Sequence, residues 1–89
     1  MSYILTTHAQ EQLVKPERNI PREVFEQVMM KPEQVVLDEY GGTVYQSRFV
    51  AENGKTYLLR TFIKDDIEPV LVKSIYVTSK VRKYWRTEQ

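Results

Sequence analysis

The stretch TVYQSRFVAENGKTYLLRTFI, residues 43–63, decides the fold of this chain. On both sides of Asn53-Gly54, apolar and polar side chains follow each other with the two-residue period of a β-strand. Asn-Gly tolerates the positive φ angles that a two-residue hairpin loop needs. Residues 43–52 and 55–63 are therefore predicted to pair as an antiparallel hairpin.

The strand pattern extends in both directions from this hairpin. VVLDEY, residues 35–40, runs into a second two-residue turn at Gly41-Gly42. After the hairpin, the longer turn KDDIEP leads to a last strand, VLVKSIYVTS, residues 70–79. These segments predict a four-stranded antiparallel meander, and YILT, residues 3–6, predicts a short additional strand at the N-terminus.

The segment between YILT and the meander has helical signals. Thr7 and Gln10 match a capping box, and Pro21 suits the first turn of a second helix. The apolar stripe of that second helix consists of Val24, Phe25, Val28 and Met29. The predicted fold is α+β, with two N-terminal helices packed on one face of a four-stranded antiparallel sheet. Residues 1–89 are expected to form a single domain.

The assumed two-residue loops also predict which side chains share a face of the sheet. One face would hold Val36, Asp38, Tyr40, Tyr45, Ser47, Phe49, Leu58, Arg60 and Phe62. The other would hold Val35, Leu37, Val44, Gln46, Arg48, Val50, Tyr57, Leu59 and Ile63. The second set is more aliphatic and is expected to lie under the helices, which excludes Arg48 from a binding face.

A four-residue loop at residues 65–68 would place Lys73 opposite Arg60 on the first face. Two cations that face each other across a sheet destabilise it unless an anion lies between them. That anion is either a bound phosphate or the carboxylate of Asp38.

Composition narrows the classes of function. The 89 residues carry a net charge of +1 and include no cysteine, which excludes disulfides and thiolate metal sites. No Gly-rich phosphate loop or metal-ligand spacing is present, so neither a metal nor another cofactor is expected. No apolar run approaches the roughly 18 residues of a membrane span, and MSYILTTHAQ lacks a signal-peptide pattern. A cytoplasmic protein without a membrane partner is expected.

The charge is unevenly distributed, with a net −3 over residues 1–40 and +4 over residues 41–89. The last strand ends in a cluster of cations and aromatic rings. The residues predicted to bind RNA there are Lys80, Arg82, Lys83, Trp85 and Arg86, next to Tyr84. A terminal turn that packs its two rings while its cations stay solvated is the alternative.

Five motifs occur in a suggestive order: THAQEQL, Arg18-Asn19-Ile20, VYQSRF, LLR and IYVTSKVRKYW. This order resembles a small prokaryotic family of domains of unknown function that is grouped with RelE-, ParE- and BrnT-like toxins. The resemblance implies a RelE-like fold, cleavage of messenger RNA (including ribosome-bound messenger RNA) without a metal, and an antitoxin partner. Matched by position, the residues it implies are His8, Tyr45, Arg60, Lys80 and Tyr84. Members commonly carry Arg where this chain has Gln12.

Cleavage of RNA by its own 2′-hydroxyl requires a base, a cation at the phosphate and an acid. The predicted catalytic residues are His8, Arg60, Lys73, Tyr45 and Tyr84. Each also fits a structural role: a lone histidine on a first helical turn, cations paired with Asp38 or Glu68, or a cross-strand aromatic cluster. Two alternatives to a toxin-like endoribonuclease stay open. One is a non-catalytic RNA- or protein-binding module of the same fold, and the other is a homodimer joined through an exposed strand edge.

Overall fold

A computed structural model describes residues 2–87 of the chain. In chain order the elements are β1 (Tyr3–Leu5), α1 (Thr7–Val14), a 3₁₀ turn (Pro16–Arg18), α2 (Arg22–Met30), β2 (Gln34–Leu37), β3 (Thr43–Val50), β4 (Thr56–Lys64), β5 (Val70–Thr78) and α3 (Val81–Tyr84). The α+β class is confirmed. None of the helices within these residues is long and apolar enough to span a bilayer.

The predicted four-stranded antiparallel sheet is wrong. The sheet has five strands in the order β1-β5-β4-β3-β2. β2 to β5 are antiparallel neighbours, but β1 pairs with β5 in parallel, from Tyr3 opposite Val70 to Leu5 opposite Val72. The chain can make this parallel pair because both helices and three strands lie between β1 and β5, which leaves ample length for a crossover. A third helix, α3, follows β5 and was also not predicted.

Both hairpin loops contain three residues instead of two. At the first, Gly41 N donates to Asp38 O and Asp38 N donates to Gly42 O; at the second, Gly54 N donates to Ala51 O and Ala51 N to Lys55 O. Gly41 and Gly54, with φ angles of 84° and 85°, occupy the left-handed position that closes a type I turn with a bulge. Each glycine is therefore the third residue of its loop.

These loop lengths change which β3 side chains lie on each face. Gln46, not Ser47, is opposite Arg60, and Val35, not Asp38, is opposite Tyr45. Both predicted registers were wrong by an odd number of residues. An odd shift in register moves every side chain of the strand to the opposite face of the sheet. The two errors cancel between β2 and β4, so Val36 does share a face with Phe62, as predicted.

The core lies between α1, α2 and one face of the sheet. Its buried side chains are Ala9, Leu13, Phe25, Val28, Met29, Tyr45, Leu59, Ile63, Val70, Val72 and Ile75. The predicted stripe of the second helix is confirmed, since Phe25, Val28 and Met29 are buried and Val24 is half-buried. The opposite sheet face, which neither α1 nor α2 covers, carries Gln46, Arg60 and Tyr76.

Candidate nucleic-acid interface

An open groove of about 830 Å³ lies on the sheet face that points away from the core. Arg60 and Phe62 of β4 line it together with Tyr76 of β5. The loop after β2 forms one side, through residues 38–40, and α3 with the segment after it forms another, through residues 83–86. The groove therefore combines cations with several aromatic rings.

Arg60 is the central cation of this groove, and only 7% of it is exposed. Its Nε donates a 2.9 Å hydrogen bond to Gln46 Oε1. Its guanidinium lies 4.2 Å from the centre of the Tyr84 ring and 5.3 Å from that of Phe62. Among residues 2–87, no acceptor bonds to its terminal nitrogens, Nη1 and Nη2. A nearly buried guanidinium is thus held by neutral groups, with its two forked nitrogens uncommitted.

No carboxylate in the described part of the chain forms an ion pair with Arg60; the ion pairs there join Arg48 to Glu33 and Lys64 to Asp66. Burial lowers the pKa of the Arg60 guanidinium, while Tyr84, Asp38 and Tyr76 oppose that shift. Arginine still stays protonated at neutral pH. No fully buried polar side-chain atom of the described residues lacks a partner, so the unbonded Nη atoms of Arg60 reach the open groove. An anion can bind them there with charge-assisted hydrogen bonds.

Asp38 is the carboxylate whose charge acts on the pKa of Arg60. Backbone N–H groups already donate hydrogen bonds to it. Its Oδ1 accepts 2.8 Å hydrogen bonds from the N–H groups of Tyr40 and Gly42. These bonds, that of Gly42 first, lower the pKa of Asp38, and the charges of Lys73 and Arg60 lower it further. Asp38 therefore stabilises the loop after β2 while it stays outside bonding distance of Arg60.

Two glutamines clamp the C-terminal segment across this face of the sheet. Gln46, fully buried, donates from Nε2 to Gln34 Oε1 at 2.8 Å and to the Tyr84 carbonyl at 3.1 Å. Gln34 accepts from Arg86 N and donates to Arg86 O. Gln46 thus orients Arg60 and fixes the position of Tyr84 at the same time.

Arg48 contacts the middle of the clamped segment, between Tyr84 and Arg86. Its guanidinium lies 4.0 Å from the centre of the Trp85 ring, and its Nη2 is 3.2 Å from Glu33 Oε2. Hydrogen bonds from Arg48, first that of its side chain, lower the pKa of Glu33. Arg48 lies on the same face as Arg60, so the prediction that excluded it was wrong.

Gln12 lies where α1 meets the edge of β5. Its Oε1 accepts from Ile75 N at 2.8 Å and from Ser74 Oγ at 3.3 Å. β1 ends at Leu5, so this side chain takes the place of a neighbouring strand for Ile75. At the position where members of the resembled family commonly carry Arg, this chain uses a buried hydrogen-bond acceptor.

The groove brings together five of the predicted site residues: Arg60, Lys83, Tyr84, Trp85 and Arg86. The other predicted residues lie apart from them, in three different settings.

Tyr45 is 8% exposed in the core on the other side of the sheet, where burial raises the pKa of its phenol. It therefore cannot reach the groove. The prediction that Tyr45 shares a face with Arg60 is wrong, for the register reason given above.

Lys73 does not lie opposite Arg60. A bulge pairs Phe62 with Ser74 and Ile63 with Val72, so Lys73 has no cross-strand partner. It is exposed, and it adds positive charge near Asp38.

His8, Lys80 and Arg82 are exposed and do not line the groove. His8 is in the first turn of α1, four residues before Gln12, so both lie on the same side of the helix. Gln12 does line the groove, which places His8 about one turn from its wall.

Gln34, Gln46 and Arg48 belong to the site and were missed. The alternation in VYQSRF carries the signal, because Gln46 and Arg48 fall on one face whatever the register.

Comparisons with protein-family models, curated proteins and solved structures returned no match.

Proposed function

We propose that this chain is a toxin-like, metal-independent endoribonuclease that acts on messenger RNA through the groove around Arg60. The observation that carries the proposal is the nearly buried Arg60 guanidinium, which neutral groups hold while its Nη donors remain uncommitted. The sequence motifs that resemble RelE-like toxins support the same reading.

Phosphate is the anion that the groove suits best. A guanidinium with two parallel donors matches two phosphate oxygens. Lys83 and Arg86 add positive charge beside Arg60, and the exposed Tyr76 offers a ring on which a base can stack. Single-stranded RNA supplies phosphates and unstacked bases together.

The chemistry requires no group from outside the chain. The 2′-hydroxyl of the substrate attacks the adjacent phosphorus, forms a 2′,3′-cyclic phosphate and breaks the bond to the 5′-oxygen. Arg60 stabilises the charge that develops on the phosphorane. Tyr84 is the proposed donor to the leaving oxygen. His8 is the proposed base for the 2′-hydroxyl proton, and because it lies outside the groove this role requires the bound RNA to extend past Gln12 to the first turn of α1.

A non-catalytic RNA-binding module is the second candidate, and two observations favour it. Tyr45, a predicted catalytic residue, is buried on the far side of the sheet, and Gln12 is engaged with the backbone of Ile75. His8 is then the one imidazole available to act as a base. For the endoribonuclease, an antitoxin that covers the groove is the proposed protein partner.

The test is incubation of labelled single-stranded RNA with the wild type, Arg60→Gln and His8→Ala in the presence of a chelator. The endoribonuclease predicts wild-type cleavage with 2′,3′-cyclic phosphate ends and its loss in both folded variants. A binding module predicts RNA retention without cleavage, weakened by Arg60→Gln and unchanged by His8→Ala. RNA that is neither bound nor cut by the folded wild type would contradict both candidates.

A further inference from the structure

β2 is the last strand of the sheet on its side, and its outer edge pairs with no other strand of residues 2–87. Val35 and Leu37 point to the helix side of the sheet, but α1 and α2 leave them uncovered. They are 60% and 64% exposed. Met30, at the end of α2 just before β2, is 80% exposed. An apolar surface thus runs along an open strand edge.

The hydrogen bonds of the first hairpin show which backbone groups face outward. Asp38 N donates inward to Gly42 O. Backbone groups alternate in direction along an antiparallel strand, so Gln34 and Val36 also bond inward to β3. The N–H and C=O groups of Val35 and Leu37 therefore point away from the sheet, where another strand could accept and donate.

This edge lacks the features that commonly block strand addition. Within Gln34–Leu37 there is no proline, no charged residue and no bulge. The charged neighbours on both sides are already engaged, Glu33 with Arg48 and Asp38 with its own loop. The opposite edge, β1, has three residues, and of these only Ile4 is a large exposed apolar side chain.

We propose that β2 pairs with β2 of a second copy of this chain across a two-fold axis at Val36. This register is the one in which both outward residues of each copy bond to outward residues of the other. Val35 would exchange two hydrogen bonds with Leu37 of the second copy, and Leu37 with its Val35. Their exposed side chains would then become cross-strand neighbours on the helix side. The register is self-complementary, as a two-fold interface requires.

The ends of β2 also fit an antiparallel copy. Gln34, at one end, is uncharged and hydrogen-bonds to the backbone of Arg86, and Glu33 beside it is paired with Arg48. The other end carries Asp38 and Glu39. The proposed register places Gln34 opposite Asp38 of the second copy, so the two Asp38 carboxylates would lie at opposite ends of the paired strands, and the two grooves would adjoin across the axis.

The chain contains no cysteine, which allows a single-residue test of the register. Val36 would sit opposite itself in a non-hydrogen-bonded pair, where Cα atoms are about 4.5 Å apart, and this spacing suits a disulfide. Mild oxidation of Val36→Cys is expected to give a disulfide-linked dimer in high yield. Val14→Cys, 60% exposed on α1, is the matched control and should form no disulfide-linked dimer.

A mass measurement over a concentration series tests the dimer without cross-linking. The wild type is expected to approach twice 10.6 kDa. Leu37→Lys is expected to weaken dimerisation by roughly tenfold or more, because two lysines would face the apolar edge. Val50→Lys, 69% exposed on β3, should leave it unchanged. A monomeric wild type, or a monomer that binds a foreign extended peptide along β2 instead, would overturn the proposal whether or not the chain cuts RNA.

Discussion

Gln46 orients Arg60 without neutralising it: the guanidinium Nε donates to the Gln46 amide oxygen at 2.9 Å, and no carboxylate within residues 2–87 pairs with it. A glutamate at this position would hold the same nitrogen and also cancel the charge. The choice of amide over carboxylate keeps the positive charge available to a ligand in the groove.

Gln46→Glu is therefore expected to weaken RNA binding by about tenfold or more, since hydrogen bonds to charged groups contribute about 1.5–3 kcal/mol. RNA affinity measured by fluorescence anisotropy checks this. Glutamate also lacks the amide donor to Gln34 and Tyr84, so Gln34→Ala is the matched control for a loosened clamp. Equal loss of affinity in both variants would mean that the clamp, and not the charge of Arg60, governs binding.

Gln34→Ala is expected to release the C-terminal segment from the sheet. The substitution removes three hydrogen bonds. A typical bond contributes about 0.5–1.5 kcal/mol, and these bonds are partly exposed. The free energy of unfolding is therefore expected to fall by about 1–2 kcal/mol. Urea unfolding measures the loss, and hydrogen exchange at the Arg86 N–H should become faster. Gln27→Ala, on the exposed side of α2, should change neither quantity.

Gln12→Ala is expected to destabilise the fold by about 1–3 kcal/mol, because the buried Ile75 N–H would lose its acceptor. Gln12→Glu keeps an acceptor at the same place and should recover much of that loss. Gln10→Ala, two residues away on the exposed side of α1, provides the comparison for helix propensity. If Gln10→Ala and Gln12→Ala are equally stable in urea, the Gln12 contact to β5 does not support the fold.

The lowered pKa of Asp38 predicts that the fold loses stability in acid. Its pKa in the folded chain is lower than the ordinary value of 3.8, so folding favours the ionised form. The stabilisation is fully present above the unfolded pKa and is lost as pH falls through about 4 and below. Melting temperatures from pH 7 to pH 2.5 should therefore fall more steeply for the wild type than for Asp38→Asn, which does not titrate. Parallel curves would show that Asp38 does not contribute.

Much of the fold could be predicted from the residues, but the faces of the sheet could not. Glycine at a positive φ angle marks a hairpin turn, and both turns are where Gly41 and Gly54 predict them. The same glycine closes either a two-residue loop or a three-residue loop with a bulge, and only the loop length decides the register. The assumption of two residues placed Tyr45 with Arg60 and put Gln46 in the core.

The parallel pairing of β1 and the position of Lys73 depend on contacts far apart in the chain. Three apolar residues at 3–5 predict a strand but not its neighbour, which the crossover to β5 determines. The bulge that leaves Lys73 unpaired is a local irregularity of β4 and β5. The sequence gives no sign of it, because neither strand has a proline or a glycine at that point. The composition of residues 83–86, with its cations and rings, was visible without a register, and these residues line the groove.

The proposed function requires that Arg60 contacts an RNA phosphate in the groove. The most direct measurement is the salt dependence of single-stranded RNA binding for the wild type, Arg60→Gln and Arg18→Gln. The last removes an equal charge from the exposed 3₁₀ turn, away from the groove. Loss of one phosphate contact should reduce the slope of log K against log salt by about 0.7. That reduction, with weaker binding, is expected for Arg60→Gln only. If Arg60→Gln changes the slope and the affinity no more than Arg18→Gln does, Arg60 does not contact an RNA phosphate.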